Sequence, residues 1–151
     1  MNGPPPAPLT VRPARPADGP VLYSFLCALE DTVLDPQAFL AVLARNLANP
    51  AISYLVAIDR GVPVGFVSCH VQYLLHHTGP VAEIQELFVR PDYRRQAVGR
   101  LLLDSLLALP QARHWLSLEV TTNRRRTDAT AFYEAQGFVA THLKLVKSAP
   151  L

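Results

Sequence analysis

Apolar and polar positions alternate along this chain in two periods, close to two and close to 3.6, and the switches between them mark out its elements. Leu9–Arg12 reads as a short strand. Val21, Leu22, Phe25 and Leu29 recur at helical spacing, with Asp18 as the expected N-cap and Pro20 tolerated in the first turn. Phe39, Leu40, Val42, Leu43 and Leu47 give a second helix. Asp35 caps it, Pro36 takes its first position and Asn49-Pro50 stops it. Ala51–Asp59 is a buried strand, Asp59-Arg60-Gly61 a turn, and Val62 to Leu75 the antiparallel partner. His76–Pro80 turns the chain into a strand over Val81–Val89. A helix starts at Val98, with Leu102, Leu103, Leu106 and Leu107 at helical spacing, and closes near Leu109-Pro110. Trp115–Val120 is a strand, Thr121–Thr127 a polar loop, Asp128–Gln136 a helix closed by Gly137, and Phe138–Val146 a final strand. The order β-α-α-β-β-β-α-β-α-β predicts an α+β layered fold, a mixed and mostly antiparallel sheet flanked by about four helices.

The strand over Val81–Val89 breaks its own period. Ile84 and Leu87 are both apolar but an odd number apart, whereas Leu87 and Val89 keep the spacing of two. A bulge near Gln85-Glu86 brings all three to one face, bends the strand and leaves backbone groups free. Immediately beyond lies Arg90-Pro91-Asp92-Tyr93-Arg94-Arg95-Gln96-Ala97-Val98-Gly99-Arg100, a basic turn running into a helix. A helix start leaves about four N–H groups without partners, and they attract anions. Small residues at Ala97 and Gly99 admit a phosphate, and Arg94, Arg95 and Arg100 add charge, so the turn reads as a diphosphate cradle.

Composition narrows the choice of partner. The chain has 151 residues, half of them hydrophobic, and a formal net charge of +2. That fits a flexible, proline-rich arm at residues 1–8 and a single domain over 9–151. The charge is too small to argue for nucleic acid, and no apolar run approaches a membrane span. Its arginines gather at Arg90–Arg100 and at Arg124-Arg125-Arg126, which suits a polyanionic small molecule. Cys27 and Cys69 have no metal spacing and support no disulfide framework; buried free thiols are expected. His76 and His77 are expected to point apart in a solvent-exposed turn, without a third ligand, so no metal is implied. With no signal peptide evident, a cytoplasmic protein is expected.

The diphosphate can be identified further. A nucleoside-triphosphate loop needs Gly-Lys-Ser/Thr, but Gly99 is followed by Arg100-Leu101; a dinucleotide fold needs a glycine-rich turn within a βαβ unit, but hairpins precede this turn. The chain instead resembles the GNAT superfamily of acyl-CoA-dependent N-acetyltransferases from about Leu9 to Val146. The family's Arg/Gln-x-x-Gly-x-Gly/Ala turn is matched by Arg94-Arg95-Gln96-Ala97-Val98-Gly99, with Ala97 in place of the first glycine. Leu87-Phe88-Val89-Arg90-Pro91 precedes it. Asn123 follows the strand Leu118-Glu119-Val120, and Phe132-Tyr133-Glu134-Ala135-Gln136-Gly137-Phe138 matches the family's later helix. Asn123 and Tyr133 are ten positions apart, three more than the commonest family spacing, with the surplus in Arg124-Arg125-Arg126.

The resemblance implies acetyl-CoA as acyl donor. Leu87, Phe88 and Val89 would pair with pantetheine and polarise the thioester carbonyl. Arg94, Arg95, Gln96, Ala97, Val98, Gly99 and Arg100 would hold the pyrophosphate, with Asn123 and Tyr133 lining the same cleft. The amine attacks directly, with no covalent enzyme intermediate. Tyr133 is the candidate acid, and Glu86, followed by Glu83, the candidate base. Glu30, Asp31 and Asp35 lie where the family builds its acceptor wall, and acidic residues there suit a cationic amine; His142 on the final strand could also face the acceptor. The implied acceptor is a primary amine of a small molecule, such as an amino sugar, an aminoglycoside, an aminophosphonate or a polyamine. A peptide acceptor and a non-catalytic acyl-CoA-binding module are the alternatives, and exposed sheet edges near the last strand are compatible with a homodimer.

Overall fold

The computed structural model describes residues 9–150, so the proline-rich arm expected at residues 1–8 lies outside it. The elements follow the order β1 (Thr10–Pro13), α1 (Gly19–Glu30), α2 (Pro36–Leu47), β2 (Ile52–Asp59), β3 (Val62–Leu74), β4 (Gly79–Val89), α3 (Val98–Leu107), β5 (Ser117–Val120) and α4 (Thr127–Ala135). The sheet is ordered β1-β2-β3-β4-β5; β1 to β4 are antiparallel, and β5 runs parallel to β4. No helix among the described residues is long and apolar enough to cross a membrane.

Alternation along the strands sorts the core into two layers. Leu55, Ala57, Val64, Val67, Ala82 and Ile84 face α3, where Val98, Leu102, Leu103 and Leu106 close over them. Val56, Phe66 and Phe88 face the other way, against Leu22, Phe25 and Leu26 of α1 and Leu43 of α2. The sheet is thus covered on both faces, as its nearly continuous apolar central strands require.

Two local expectations change. Asp18 precedes α1, but its side chain does not cap that helix. The buried carboxylate instead takes both guanidinium nitrogens of Arg12, at 2.8 and 2.9 Å, and the Arg15 amide at 2.7 Å. The Arg12 hydrogen bonds, against the cost of burial, hold its carboxyl below the usual carboxylate range. By contrast, Asp35 caps α2 as its sequence context predicts, accepting from the Ala38 amide at 2.8 Å.

The second change is the last strand. After α4 the described chain forms no strand, and Phe138–Val146 runs without regular structure. β5 has only four residues, so its outer edge offers few ladder bonds. Ordering nine residues costs roughly 1–2 kcal/mol each in backbone entropy, which so short an edge does not offset. Leu143 and Leu145 accordingly stand 73% and 92% exposed, and His142 is exposed with them rather than held on a strand.

Candidate active site

The bulge forms where the apolar pattern demanded one. Ser68 pairs with Glu86 and Cys69 with Ile84, leaving Gln85 as the extra residue. One residue of slip moves every later side chain to the opposite face. Ile84, Leu87 and Val89 therefore all pack on the α3 side, while Phe88 joins the α1–α2 core. Ser68, fully buried, pins the kink: its Oγ accepts from the Glu86 amide at 2.9 Å.

The same kink opens the sheet. β5 pairs with β4 only from Val81 to Ile84. Beyond Ile84 the two parallel strands part, so from Gln85 to Val89 the edge of β4 that faces β5 has no strand partner. A cleft of about 270 Å³ fills the gap. Its walls are Leu29 and Glu30 of α1, Gln85 to Leu87 of β4, Val120 to Asn123, and Arg126, Ala129 and Tyr133 around α4. A second cavity, of about 330 Å³, lies under α1 and α2 and is floored by Tyr54, Phe66 and His70. Gln85 and Glu86 line both.

Electrostatics distinguishes the groups at this junction. Burial pushes the Glu86 carboxyl above the usual carboxylate range; a hydrogen bond from the Ser68 hydroxyl pulls it part of the way back, and the charge of Glu30 adds to the rise. Burial lowers the proton affinity of His70, partly offset by Glu83. Tyr133 is 8% exposed, and burial pushes its hydroxyl up to about 12 against the lowering effect of Arg126. Its ring sits edge-on between Phe132 and Phe138, at 5.3 and 5.4 Å. It is therefore a fixed, protonated donor at the cleft wall.

The basic turn follows the end of β4 and leads into α3. Arg95 and Ala97 take positive φ, 71° and 58°, to bend the chain into α3. The first helical bond runs from Leu101 N to Ala97 O at 2.9 Å, so the amides of Val98, Gly99 and Arg100 have no carbonyl a turn earlier to bond. Gly99 is needed for packing as well: a Cβ there would lie 3.0 Å from the Phe132 ring. Tyr93 anchors the turn by donating to the Asp59 carboxylate, and Arg90 pairs with Asp92 at 2.7 Å. Arg94 reaches back to the Val89 carbonyl, and Gln96 to that of Asp92. Arg95 and Arg100 are exposed beside them.

The other expected residues fall at varied distances from the junction. Asn123 lines the cleft and accepts from the Arg125 amide at 3.0 Å. Glu83 lines neither cavity; it accepts from Thr121 and pairs in register with His70. Of the three acidic residues between the first helices, Glu30 lines the cleft, while Asp35 is occupied as a cap. His76 and His77, expected to point apart, stand with their rings 4.3 Å apart because the chain makes a tight helical turn there.

Ser68 was not singled out from sequence, Gln85 was expected only as a bulge position, and Arg126 only as one of an arginine cluster, without its partners on α1. Ser68 could have been: it is the one hydroxyl in the buried run Val64-Gly65-Phe66-Val67-Ser68-Cys69. The partners of Arg126 could not, since it bonds the Leu29 carbonyl at 2.8 Å and lies 3.9 Å from Glu30, 97 and 96 positions away.

Two clefts with a shared acidic wall suit a transfer between two bound substrates. Comparison with known proteins gives that class its family. The chain belongs to the acetyltransferase (GNAT) family, whose model matches residues 22–138, and it is an acyl-CoA-dependent N-acetyltransferase. It is 37% identical over 140 residues to an aminoalkylphosphonate N-acetyltransferase of Salmonella typhimurium, covering 91% of this chain and 90% of that one. A peptidyl-lysine N-acetyltransferase of Escherichia coli is 25% identical, over 88% and 84%. A Bacillus halodurans protein solved as a transcriptional regulator superposes with a TM-score of 0.84 at 21% identity, over 93% of this chain and 99% of that one. An aminoglycoside N-acetyltransferase in complex with CoA superposes at 0.81 and 18%, over 95% of each. These two likenesses are of fold.

Proposed function

We propose that the protein moves an acetyl group from acetyl-CoA to the primary amine of a small molecule, and that the transfer takes place where the two clefts meet at Gln85–Glu86. That shared wall is the observation on which the reading rests. The residues fit the donor. The β4 edge from Gln85 to Val89, which has no strand partner on its β5 side, suits the amides of a pantetheine arm. The first-turn amides of α3, with Arg94, Arg95 and Arg100 nearby, suit a pyrophosphate.

When bound, the thioester supplies an activated acyl carbon. The chain's own residues supply the rest. Glu86 takes the proton that the ammonium must lose before its nitrogen can attack; its raised proton affinity moves it toward the working pH. An amide of Leu87–Val89 donates to the carbonyl oxygen as charge builds there. Tyr133, always protonated near neutrality, donates to the departing sulfur. No side chain of the protein is acylated, and Cys69, buried and pushed up to about 12, is unsuited to it.

The test is CoA release from acetyl-CoA across a panel of amines, preceded by thermal shift. A donor at 100 times its Kd should add about 2.7 kcal/mol of stability. Absence of any shift with acetyl-CoA or CoA would refute the donor site; binding without turnover of any amine would point to a regulatory module. A peptide acceptor is the second reading, favoured by the Escherichia coli peptidyl-lysine relative, and a lysine-containing peptide belongs in the panel.

A further inference from the structure

The cavity under α1 and α2 carries chemical information about the acceptor. Resting on the reading just given, in which Glu86 receives the amine there, we infer that the acceptor is a primary alkyl- or arylalkylamine. It has one ammonium group on an uncharged, apolar body, with no phosphonate or carboxylate.

The cavity wall is built from Leu22, Leu26, Phe39, Leu43 and Phe66. Four of these five belong to the buried α1–α2 core, with Phe39 packed against it. The polar groups gather on one side. Asn46 donates one N–H to the Tyr54 hydroxyl at 2.8 Å. His70 is half-buried, and desolvation lowers its proton affinity, partly offset by Glu83. Among the described residues, Glu86 is the one carboxylate that lines the cavity, and no lysine or arginine lines it. The field therefore favours one positive charge at the bulge end and offers an anion no countercharge among the described residues. A phosphonate would leave water to face a carboxylate and apolar walls, an uncompensated burial of charge. The arginine of the neighbouring cleft, Arg126, already has the Leu29 carbonyl and Glu30 as partners.

Size points the same way. About 330 Å³ lies at the small end of ligand-pocket volumes, roughly 300–1,000 Å³, and has room for a hexylamine or a phenylethylamine. Each methylene buried against such walls should raise kcat/KM about fourfold, from the transfer free energy of a buried CH₂.

The experiment uses the full chain, saturating acetyl-CoA and detection of released CoA. The probes are propylamine, butylamine, hexylamine, 2-phenylethylamine, 2-aminoethylphosphonate, glycine, spermidine, kanamycin and a lysine peptide. Expected is a rise of about fourfold in kcat/KM per methylene from propylamine to hexylamine, and at least a tenfold preference for 2-phenylethylamine over 2-aminoethylphosphonate. Val42→Arg places a cation at the rim of the cavity, where Val42 is 57% exposed. It should move that preference at least tenfold toward the phosphonate. Equal or better use of the phosphonate, kanamycin or the peptide by the parent chain would overturn the inference while leaving acetyl transfer intact. Acetyl-CoA binding without turnover of any alkylamine would overturn it as well. Failure of acetyl-CoA to stabilise the protein is a different result, which removes the donor site and this inference together.

Discussion

Replacing Ser68 with alanine removes one hydroxyl, and the structure says where the effect should appear. The Oγ is fully buried and accepts from the Glu86 amide at 2.9 Å. That N–H belongs to a bulged strand, where the ladder offers it no substitute acceptor. Leaving it unpaired should cost about 1–3 kcal/mol, or roughly 3–10 °C in Tm for a chain of this size. The same hydroxyl holds the Glu86 carboxyl down against burial and the charge of Glu30, so without it the carboxyl's proton affinity rises further. The folded value lies above the unfolded one. Its contribution is therefore present at low pH, where Glu86 is protonated in both states, and is lost as pH rises through the folded value. Ser68→Ala raises that folded value again, so its destabilisation should be larger at pH 8 than at pH 5. The acid limb of kcat should move to higher pH in parallel. Thermal denaturation at both pH values, repeated in a Glu86→Gln background, separates the two effects: in that background the pH dependence of the Ser68→Ala cost should vanish. A cost independent of pH with Glu86 present, together with an unmoved rate profile, would refute the coupling between Ser68 and Glu86.

Tyr133→Phe should lower kcat by about 10- to 100-fold, the lower end of general-acid effects, because a hydroxyl at about 12 is far from the working pH; the Kd for acetyl-CoA, read by thermal shift, should change little. Gly65→Ala should cost about 1–3 kcal/mol and weaken acetyl-CoA binding, since its Cβ would meet the Phe88 carbonyl at 2.7 Å, where side-chain rearrangement brings no relief; chemical denaturation and a binding isotherm check both. Leu102→Ala, at a fully buried site between α3 and the sheet, should cost about 2–5 kcal/mol by the same denaturation assay. Cys69 should react with a thiol reagent only on unfolding, as it is 1% exposed and its thiol is pushed up to about 12; prompt modification of two thiols in the folded chain would contradict its burial.

What the sequence disclosed and what it hid divide along a physical line. The bulge was legible because one extra residue inverts the parity of an apolar pattern, and Ile84, Leu87 and Val89 recorded that inversion. The Asp35 cap was legible because Pro36 fixes the helix start, and Gly137, at φ 92°, because few residues tolerate a left-handed turn. The last strand misled because Phe138–Val146 has the right composition, whereas a strand also needs a neighbour with room to pair. Asp18 misled likewise: its local signal favoured a cap, but a buried carboxylate is claimed by the strongest donor within reach, and Arg12 is stronger than a helix amide. Arg126 acts through contacts far apart in the chain, which periodicity does not report.

Ala97 has a consequence for the rhythm of turnover. It begins α3 at φ 58°, a conformation that costs an alanine about 1–2 kcal/mol relative to the right-handed region. An empty turn has reason to wander from that geometry, and a bound diphosphate reason to restore it. On the reading that the turn holds the donor's diphosphate, the competent geometry would be a population that the donor shifts and product departure releases. Ala97→Gly removes the penalty. If the turn relaxes when empty, the glycine variant should bind CoA up to about tenfold more tightly, and where CoA departure limits the cycle it should run more slowly at saturation.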